Sequence, residues 1–327
     1  MASATPSTKS SVTNSSAQST PSQHLSMTKS TWSLLVVLSV LWGGSFLFIE
    51  VALRSLPTLT VVFTRVALAA CALHLYVLAT GKQMTRTPQH WRWFFVMGFL
   101  NNFVPFTLIV WGQSHISGGL ASILNATTPI SAVLLAHFFT KDEPMTANKM
   151  MGVMLGLVGV VVLMGPTSLQ GGRNLLAQLA IIVAGISYSF AGIYARRFKG
   201  LPTTVVAAGM LTASSLMMLP LSLIIDQPWQ LRPELLSVLA LCALAIISTA
   251  AAYLIYFYIL AVAGATNVLL VTLLVPVSAV LLGVMILGET LEPLMLAGMS
   301  LILLGLLAVD GRLLTFLPKR LKTIFVR

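Results

Sequence analysis

Long apolar blocks follow one another along most of the 327-residue chain, separated by short breaks that carry Pro, Gly or charge. Each block holds about 20 residues, which as an α-helix is long enough to cross the hydrocarbon core of a bilayer, about 30 Å thick. A transmembrane β-barrel would instead show segments of about ten residues with alternating polarity. Ten candidate spans begin near Trp32, Thr58, Trp91, Ser117, Ala147, Asn174, Pro202, Glu234, Gly264 and Leu291. The pattern therefore predicts an all-α integral membrane protein.

Composition excludes a soluble protein and argues against a nucleic-acid partner. Apolar residues make up 57% of the chain and charged residues only 8%, whereas soluble domains carry about 25% charged residues. The net charge of +11 would suit nucleic acid, but most Lys and Arg residues lie in the short breaks, as membrane topology requires. We therefore expect the lipid bilayer and a small-molecule substrate as partners, no nucleic acid, and a monomer or homodimer.

The distribution of basic residues predicts how the chain is oriented. With the N-terminus inside, fifteen Lys and Arg residues lie in inner segments and three in outer loops, which is a strong positive-inside bias. Residues 1–31 hold sixteen Ser and Thr residues and few apolar ones, a composition typical of disorder. We expect residues 1–31 to form a disordered tail and residues 311–327 a basic tail, both in the cytoplasm.

A closely similar stretch occurs twice, 147 positions apart. The first copy, TTPISAVLL, covers residues 127–135, and the second, LVPVSAVLL, covers residues 274–282; six of the nine residues are the same. At the same offset Asn102 corresponds to Thr249. The chain is therefore predicted to be a duplicated unit of five spans.

Two copies of an odd number of spans must insert with opposite orientations, and inverted repeats of this kind are typical of secondary transporters. We predict a first repeat over residues 32–165 and a second over residues 174–310, with a substrate cavity between them. Alternating exposure of that cavity to the two sides of the membrane would move the solute. A duplicated scaffold or a polytopic membrane enzyme is the alternative class.

Glu50 and Arg65 are the only formal charges within the predicted spans. Charged side chains there are costly and are usually paired or turned toward a cavity. The predicted depths of the two residues agree within about one helical turn, so one interpretation is an ion pair or a gate near the outer face. The other interpretation is a contact between Arg65 and a substrate carboxylate.

Polar and aromatic side chains within the spans provide the candidate binding residues. An amide that faces lipid is costly, so an amide within a span is expected to face protein or water. We select Trp42, Asn102, Asn125 and Tyr253 as substrate-binding residues. Each of them either contacts the substrate or packs against a neighbouring helix, and the sequence leaves both roles open.

Pro129 and Pro276 occupy matching positions in the two copies of the repeated stretch. Proline removes a backbone hydrogen bond, so these positions predict either hinges or static kinks in the fourth and ninth spans. Gly152, Gly156 and Gly159 have a spacing typical of a close contact between helices. No nucleophile, phosphate-binding or metal-ligand motif occurs, so the sequence predicts no catalytic residue, no cofactor and no metal site.

Five stretches of the chain resemble the EamA-type members of the drug/metabolite transporter (DMT) superfamily: LWGGSFLFIEVAL, FTRVALAA, ISGGLASILNATTPISAVLLAHFFTKDEP, MGVMLGLVGVVVLMG and AGATNVLLVTLLVPVSAVLLGVMILGETLEP. The resemblance covers nearly everything from Trp32 to Asp310. It implies ten transmembrane helices in two inverted five-helix repeats, a central cavity, and export of small metabolites such as amino acids across the inner membrane of a bacterium. A nucleotide-sugar or phosphorylated-metabolite exchanger is the alternative transporter. It would require several cations in the cavity, and the predicted spans offer only Arg65.

Overall fold

The computed structural model describes residues 28–139, 146–168, 173–268 and 270–309. Most of the two predicted tails lies outside these residues. The first helix begins at Lys29, three residues before the predicted start at Trp32. The hydroxyl of Thr28 accepts a hydrogen bond from the amide of Thr31 and so caps the helix before its apolar sequence begins.

The described chain is helical and contains no strand, as the apolar blocks predict. The helices α1 to α10 cover, in chain order, Lys29–Ala52, Thr58–Ala79, Pro88–Gln113, Gly118–Phe139, Ala147–Ser168, Arg173–Tyr194, Thr203–Asp226, Leu235–Ala263, Val271–Leu287 and Pro293–Val309. Seven of these helices are long and apolar enough to cross a membrane, and α5, α9 and α10 offer shorter apolar stretches. This is the architecture of a helical membrane protein, and the count of ten crossings stays a prediction.

The helices pack in the same pattern in the two halves of the chain. Helix α1 packs on α8 and α9, and its counterpart α6 packs on α3 and α4. In the same way α2 packs on α8, and α7 packs on α3. The pairs α2–α7 and α5–α10 each join a helix to its own counterpart. Exchanging α1–α5 for α6–α10 therefore reproduces the principal contacts.

Glycine lets α5 and α10 approach each other closely. A Cβ atom added at Gly305 would lie 2.7 Å from the carbonyl oxygen of Gly152 and 2.8 Å from the amide nitrogen of Gly156. One added at Gly159 would lie 2.9 Å from the backbone nitrogen of Ile302. Such separations are too short for a real Cβ atom, so the predicted glycine contact face is confirmed.

Replacement of Gly305 by Ala is expected to lower the stability of the protein by about 1–3 kcal/mol, because the new methyl group would force the two backbones apart. The matched control is Gly192→Ala on α6, where an added Cβ atom meets no atom within 4 Å. That control should be neutral or slightly stabilising, since Ala is the better helix former. Thermal unfolding of both variants in detergent checks the prediction, and equal melting temperatures would contradict it.

Helix α4 is interrupted where it carries the repeated stretch, whereas α9 is continuous over its own copy. In α4, an interruption separates Gly118–Asn125 from Thr128–Phe139, and Pro129 is the second residue of the second part. In α9, Pro276 lies inside the continuous helix Val271–Leu282. A separate four-residue helix, Ala265–Val268, precedes this continuous helix in the second repeat. Only the first proline therefore marks a break, and movement at either position stays a prediction.

Candidate functional site

Two π-helical segments interrupt the long helices α3 and α8. They cover Phe99–Phe103 and Ile246–Ala251, so they begin 147 positions apart, like the repeated stretch. A π turn contains one residue more than an α turn and re-aims the side chains around it, and such turns are frequent at functional sites. Here they carry Asn102 and Thr249, the residues that the repeat offset pairs. Each half of the chain therefore contributes a polar side chain from the same place in its fold.

Arg65 lies on α2 and is held by groups from both halves of the chain. Its side chain is only 7% exposed. The Nε atom donates a hydrogen bond of 3.0 Å to the hydroxyl of Thr249, and that hydroxyl donates one of 2.8 Å to the carbonyl of Leu244. The guanidinium carbon lies 3.7 Å from the centre of the Phe106 ring, within the range of a cation–π contact. Thr249 and Phe106 therefore fix the direction in which the cation points.

The two terminal nitrogens of Arg65 make no hydrogen bond with the described part of the chain. They are also not among the fully enclosed polar atoms that lack a partner, so each of them keeps some accessible surface. The tyrosines Tyr188 and Tyr253 lie near the cation. A buried cation with free donors and phenolic neighbours is suited to binding an anion.

A second network fixes Tyr253 beside this cation. The side-chain nitrogen of Asn101 donates to the Tyr253 hydroxyl at 3.2 Å and to the side-chain oxygen of Asn102 at 3.1 Å. The Tyr253 hydroxyl donates to the same Asn102 oxygen at 3.4 Å, and the Asn102 nitrogen donates to Ser214 at 3.1 Å. Asn102 has no exposed surface, so in this conformation it holds its neighbours and does not face open space.

An aromatic row leads from this network to Trp42. The rings of Tyr253 and Phe257 have their centres 6.0 Å apart, those of Phe257 and Tyr256 5.4 Å, and those of Tyr256 and Trp42 5.5 Å. Three of these side chains come from α8, and Trp42 comes from α1. The row joins Trp42 and Tyr253, two of the predicted binding residues, through successive ring contacts.

Asn125 lies apart from the cluster around Arg65, at the end of the first part of α4. Its side-chain oxygen is enclosed and has no hydrogen-bond partner among the described residues. The hydroxyl of Thr128 donates to the Asn125 carbonyl across the interruption at 2.7 Å, and the hydroxyl of Ser189 donates to the carbonyl of Thr128 at 3.2 Å. An enclosed acceptor without a donor is costly, so Asn125 stays a candidate binding residue.

The structure does not join Glu50 and Arg65 in an ion pair, which corrects that interpretation of the sequence. The Glu50 carboxylate accepts a hydrogen bond of 3.0 Å from the amide of Gly118, at the start of α4. Arg65 turns instead toward Thr249 and Phe106. The sequence predicts similar depths for the two residues, but depth alone does not fix the direction of either side chain.

Glu289, in the loop before α10, shares the start of α4 with Glu50. Its Oε1 atom accepts from the amide of Gly119 at 3.4 Å, and its Oε2 atom is enclosed without a partner among the described residues. A Cβ atom added at Gly119 or Gly283 would lie 2.6 or 2.5 Å from that oxygen, so glycine provides the room for the carboxylate. Beside it lies a cavity of about 440 Å³, whose lining includes Ser117 but none of the residues around Arg65.

The surroundings of Glu289 predict a pH dependence of stability. Burial, and then the neighbouring Glu50 carboxylate, raise the pKa of Glu289 above its ordinary value. A carboxyl group with a raised pKa in the folded state stabilises that state at low pH, and this contribution is lost as the pH rises through the raised pKa. The stability of the wild-type protein should therefore fall as the pH rises from about 4.3 toward that pKa.

Glu289→Gln should remove this dependence and raise the melting temperature at pH 7 relative to the wild type, with the difference vanishing below about pH 4, where the carboxyl is protonated. The control is Glu292→Gln, which changes an exposed carboxylate three residues along the chain. Melting curves between pH 4 and pH 8 test the prediction. A Glu289→Gln variant that keeps the slope of the wild type would contradict it.

Sequence reasoning missed three parts of this arrangement. The sequence identifies Thr249 only as the counterpart of Asn102, does not single out Phe106, and does not connect Glu289 with Glu50. The repeat offset was the available signal for Thr249, because it matches a polar residue of α8 to a selected residue of α3. The residues brought together are Arg65, Tyr253, Asn102 and, through the aromatic row, Trp42.

A bundle of long apolar helices defines a helical membrane protein, and comparison with known proteins identifies its family. The EamA-like transporter family matches the chain twice, over residues 30–165 and 175–309. The chain therefore belongs to the EamA-like transporter family. The double match covers both predicted repeats, and it makes the protein a membrane transporter by family.

Two relatives are distant in sequence but match over nearly their whole length. The uncharacterized transporter YoaV of Bacillus subtilis is 23% identical over 83% of this chain and 94% of its own. A protein of Streptantibioticus cattleyicolor named "Probable terminal-alkyne amino-acid exporter" is 24% identical over 89% of this chain and 96% of its own. A crystal structure of a protein 22% identical in sequence aligns with a TM-score of 0.65 over 90% of this chain and 99% of that one, which shows a shared fold.

Proposed function

We propose that the protein is a secondary transporter that exports small metabolites such as amino acids by alternating access through a central site around Arg65. The observation that carries the proposal is the position of this cation. Its hydrogen-bond acceptor, Thr249, comes from the second half of the chain, and its stacking partner, Phe106, comes from the first. A movement of one half against the other would therefore change the access to the cation itself.

The symmetry of the contacts supports ten crossings arranged as two inverted repeats of five. Helices α1–α5 and α6–α10 pack in corresponding ways, and the π segments recur at the same offset as the repeated stretch. With five crossings in each half, the positive-inside bias supports a multi-pass protein with both termini in the cytoplasm. The inner membrane of a bacterium is the proposed location, on the family resemblance. Reporter fusions at both termini and in the loop that follows Arg196 test this topology, and an outer C-terminus would refute the five-plus-five arrangement.

The proposed roles of the site residues follow from their positions. Trp42 and Tyr253 line the site through the aromatic row, Asn102 holds Tyr253 in place, and Asn125 offers an unused acceptor at the interruption of α4. Glu50 belongs to an outer gate at the start of α4. The interruption before Pro129 is the proposed hinge of the first half, and Pro276 marks the corresponding segment of the second.

Amino acids are the proposed substrate class, and two observations support them. The site offers one cation together with aromatic surface, which fits a small solute with one carboxylate and an apolar part. The Streptantibioticus relative is named as an amino-acid exporter. A phosphorylated or nucleotide-linked solute carries more negative charge than the single cation of this site would balance.

Counterflow in proteoliposomes tests the function directly. Purified protein is reconstituted with an unlabelled metabolite inside, and the uptake of the same radiolabelled metabolite is followed over a panel that includes the twenty amino acids. Transient accumulation above equilibrium for at least one solute is the expected result. Protein-free vesicles are the control. If no solute in the panel accumulates, although the reconstituted protein is folded by its melting curve, the proposed function is wrong.

A further inference from the structure

The free donors of Arg65 define which part of a substrate they would bind. Thr249 occupies the Nε atom, and the Phe106 ring covers one face of the guanidinium group. The edge that carries the two terminal nitrogens is left open, since neither nitrogen bonds to the described part of the chain. Two parallel N–H groups on one edge match the two oxygens of a carboxylate, which a guanidinium group binds in a bidentate manner.

The charge of the site limits the substrate to one negative group. Burial of a cation inside an apolar bundle is costly unless an anion compensates it. No acidic side chain of the described residues contacts Arg65: Glu50 and Glu289 bind backbone amides at the start of α4, and Asp226 accepts hydrogen bonds from Thr60. A bound monoanion would neutralise the charge of Arg65. A dianion would instead bring one uncompensated negative charge into the apolar bundle.

The aromatic row provides the second half of the recognition. It extends from Tyr253, next to the cation, to Trp42 on α1. Aromatic faces bury apolar groups, and they attract a positively charged ammonium group as well. A solute anchored at Arg65 by its carboxylate would therefore lay its remaining atoms along this row.

We infer that Arg65 is the anchor for the single carboxylate of the transported solute, with the apolar part of the solute held against the row from Tyr253 to Trp42. The inference rests on the proposed transport function and adds to it the chemical group that the protein must recognise. A solute of the same size without a carboxylate would leave the buried cation without an anion and would bind weakly. Arg65 would thus act as the specificity-determining residue.

The test combines binding with transport. Melting temperatures of the purified protein are measured with the twenty amino acids and with straight-chain monocarboxylates of two to eight carbons. The melting temperatures are then measured with the amide and the decarboxylated amine of each stabilising compound, for example phenylalaninamide and phenethylamine for phenylalanine. Counterflow is measured with the same compounds. We expect at least one carboxylate to stabilise the wild-type protein and to be transported, and its carboxylate-free counterparts to do neither.

Arg65→Gln should abolish the stabilisation by the carboxylate and lower its uptake about 100-fold, without lowering the melting temperature of the unliganded protein, because the change removes a buried charge. Arg65→Lys keeps the charge but loses the bidentate edge, and we expect about a tenfold loss. The matched control is Arg54→Gln, which removes an exposed arginine in the loop before α2 and should change neither quantity.

The outcomes separate the two proposals. If carboxylates stabilise the wild type but not Arg65→Gln, and no compound is transported, the anchor stands and the transport function is wrong. If transport occurs but amides and amines move as fast as the acids, or Arg65→Gln transports normally, transport stands and the anchor is wrong. If no carboxylate of the panel stabilises the wild-type protein, the anchor is wrong as well.

Discussion

Exchanging the two charges, as in the double variant E50R/R65E, is expected to lower transport by about 100-fold or more. The double variant should not restore the transport that E50R or R65E alone loses. In the structure Glu50 accepts from the amide of Gly118 at the start of a helix, where the backbone favours an anion. Arg65 lies against the electron-rich face of Phe106, which favours a cation. The exchange would place each charge in surroundings that suit the opposite sign.

The milder variants E50Q, R65Q and their combination separate this prediction from a simple loss of folding. Residues without shared partners usually have additive effects. The free-energy loss in the double variant E50Q/R65Q should therefore equal the sum of the losses in E50Q and R65Q. Abundance is followed by size-exclusion chromatography, and uptake by counterflow. An exchanged variant that exceeds both single reversals in abundance and uptake would instead show that the two residues form a pair.

Thr249→Val is expected to reduce the apparent affinity for the transported carboxylate about tenfold. The variant keeps the shape of the side chain but removes the acceptor for the Nε atom of Arg65, and a buried donor without a partner costs about 1–3 kcal/mol. Thr249 acts through Arg65, so it is a positioning residue. The half-saturating concentration should rise, whereas the maximal rate should change less.

Two variants control this prediction. Thr249→Ser keeps the hydroxyl and should retain near-normal affinity. Ser248→Ala changes the preceding residue, whose enclosed hydroxyl has no partner in the described chain, and should leave transport unchanged. Equal half-saturating concentrations for Thr249→Val and Ser248→Ala would contradict the role of Thr249.

Most helices could be predicted from the sequence because hydropathy reports depth along a helix axis. The predicted starts at Thr58 and Ala147 agree with the structure, and the start near Glu234 is one residue early. The largest discrepancy is at the ninth span, where the break around Gly264 carries no charge and the continuous helix begins only at Val271. An uncharged break gives hydropathy nothing by which to locate a boundary.

The partners of the charged residues could not be predicted, because a rise of about 1.5 Å per residue fixes depth but not the direction of a side chain about the helix axis. Glu50 and Arg65 agreed in depth, yet Glu50 turns to Gly118 and Arg65 to Thr249. The π segment that presents Thr249 adds a residue to one turn and shifts that direction further. The repeat offset, which pairs Asn102 with Thr249, is the one feature of the sequence that points to Thr249.

The most direct test of alternating access is the labelling of a cysteine placed beside Arg65, in the variant Tyr188→Cys. The two native cysteines, Cys71 and Cys242, are exposed on the helix bundle and are first replaced by Ser. Right-side-out and inside-out vesicles are treated with a membrane-impermeant thiol reagent, with and without the solute that counterflow identifies, and the residual transport of the variant is measured in parallel. The account predicts that the same cysteine is modified from either side of the membrane and that the solute protects it from both. Alternating access would be contradicted if the cysteine were modified from one side only or from neither side, both with and without the solute.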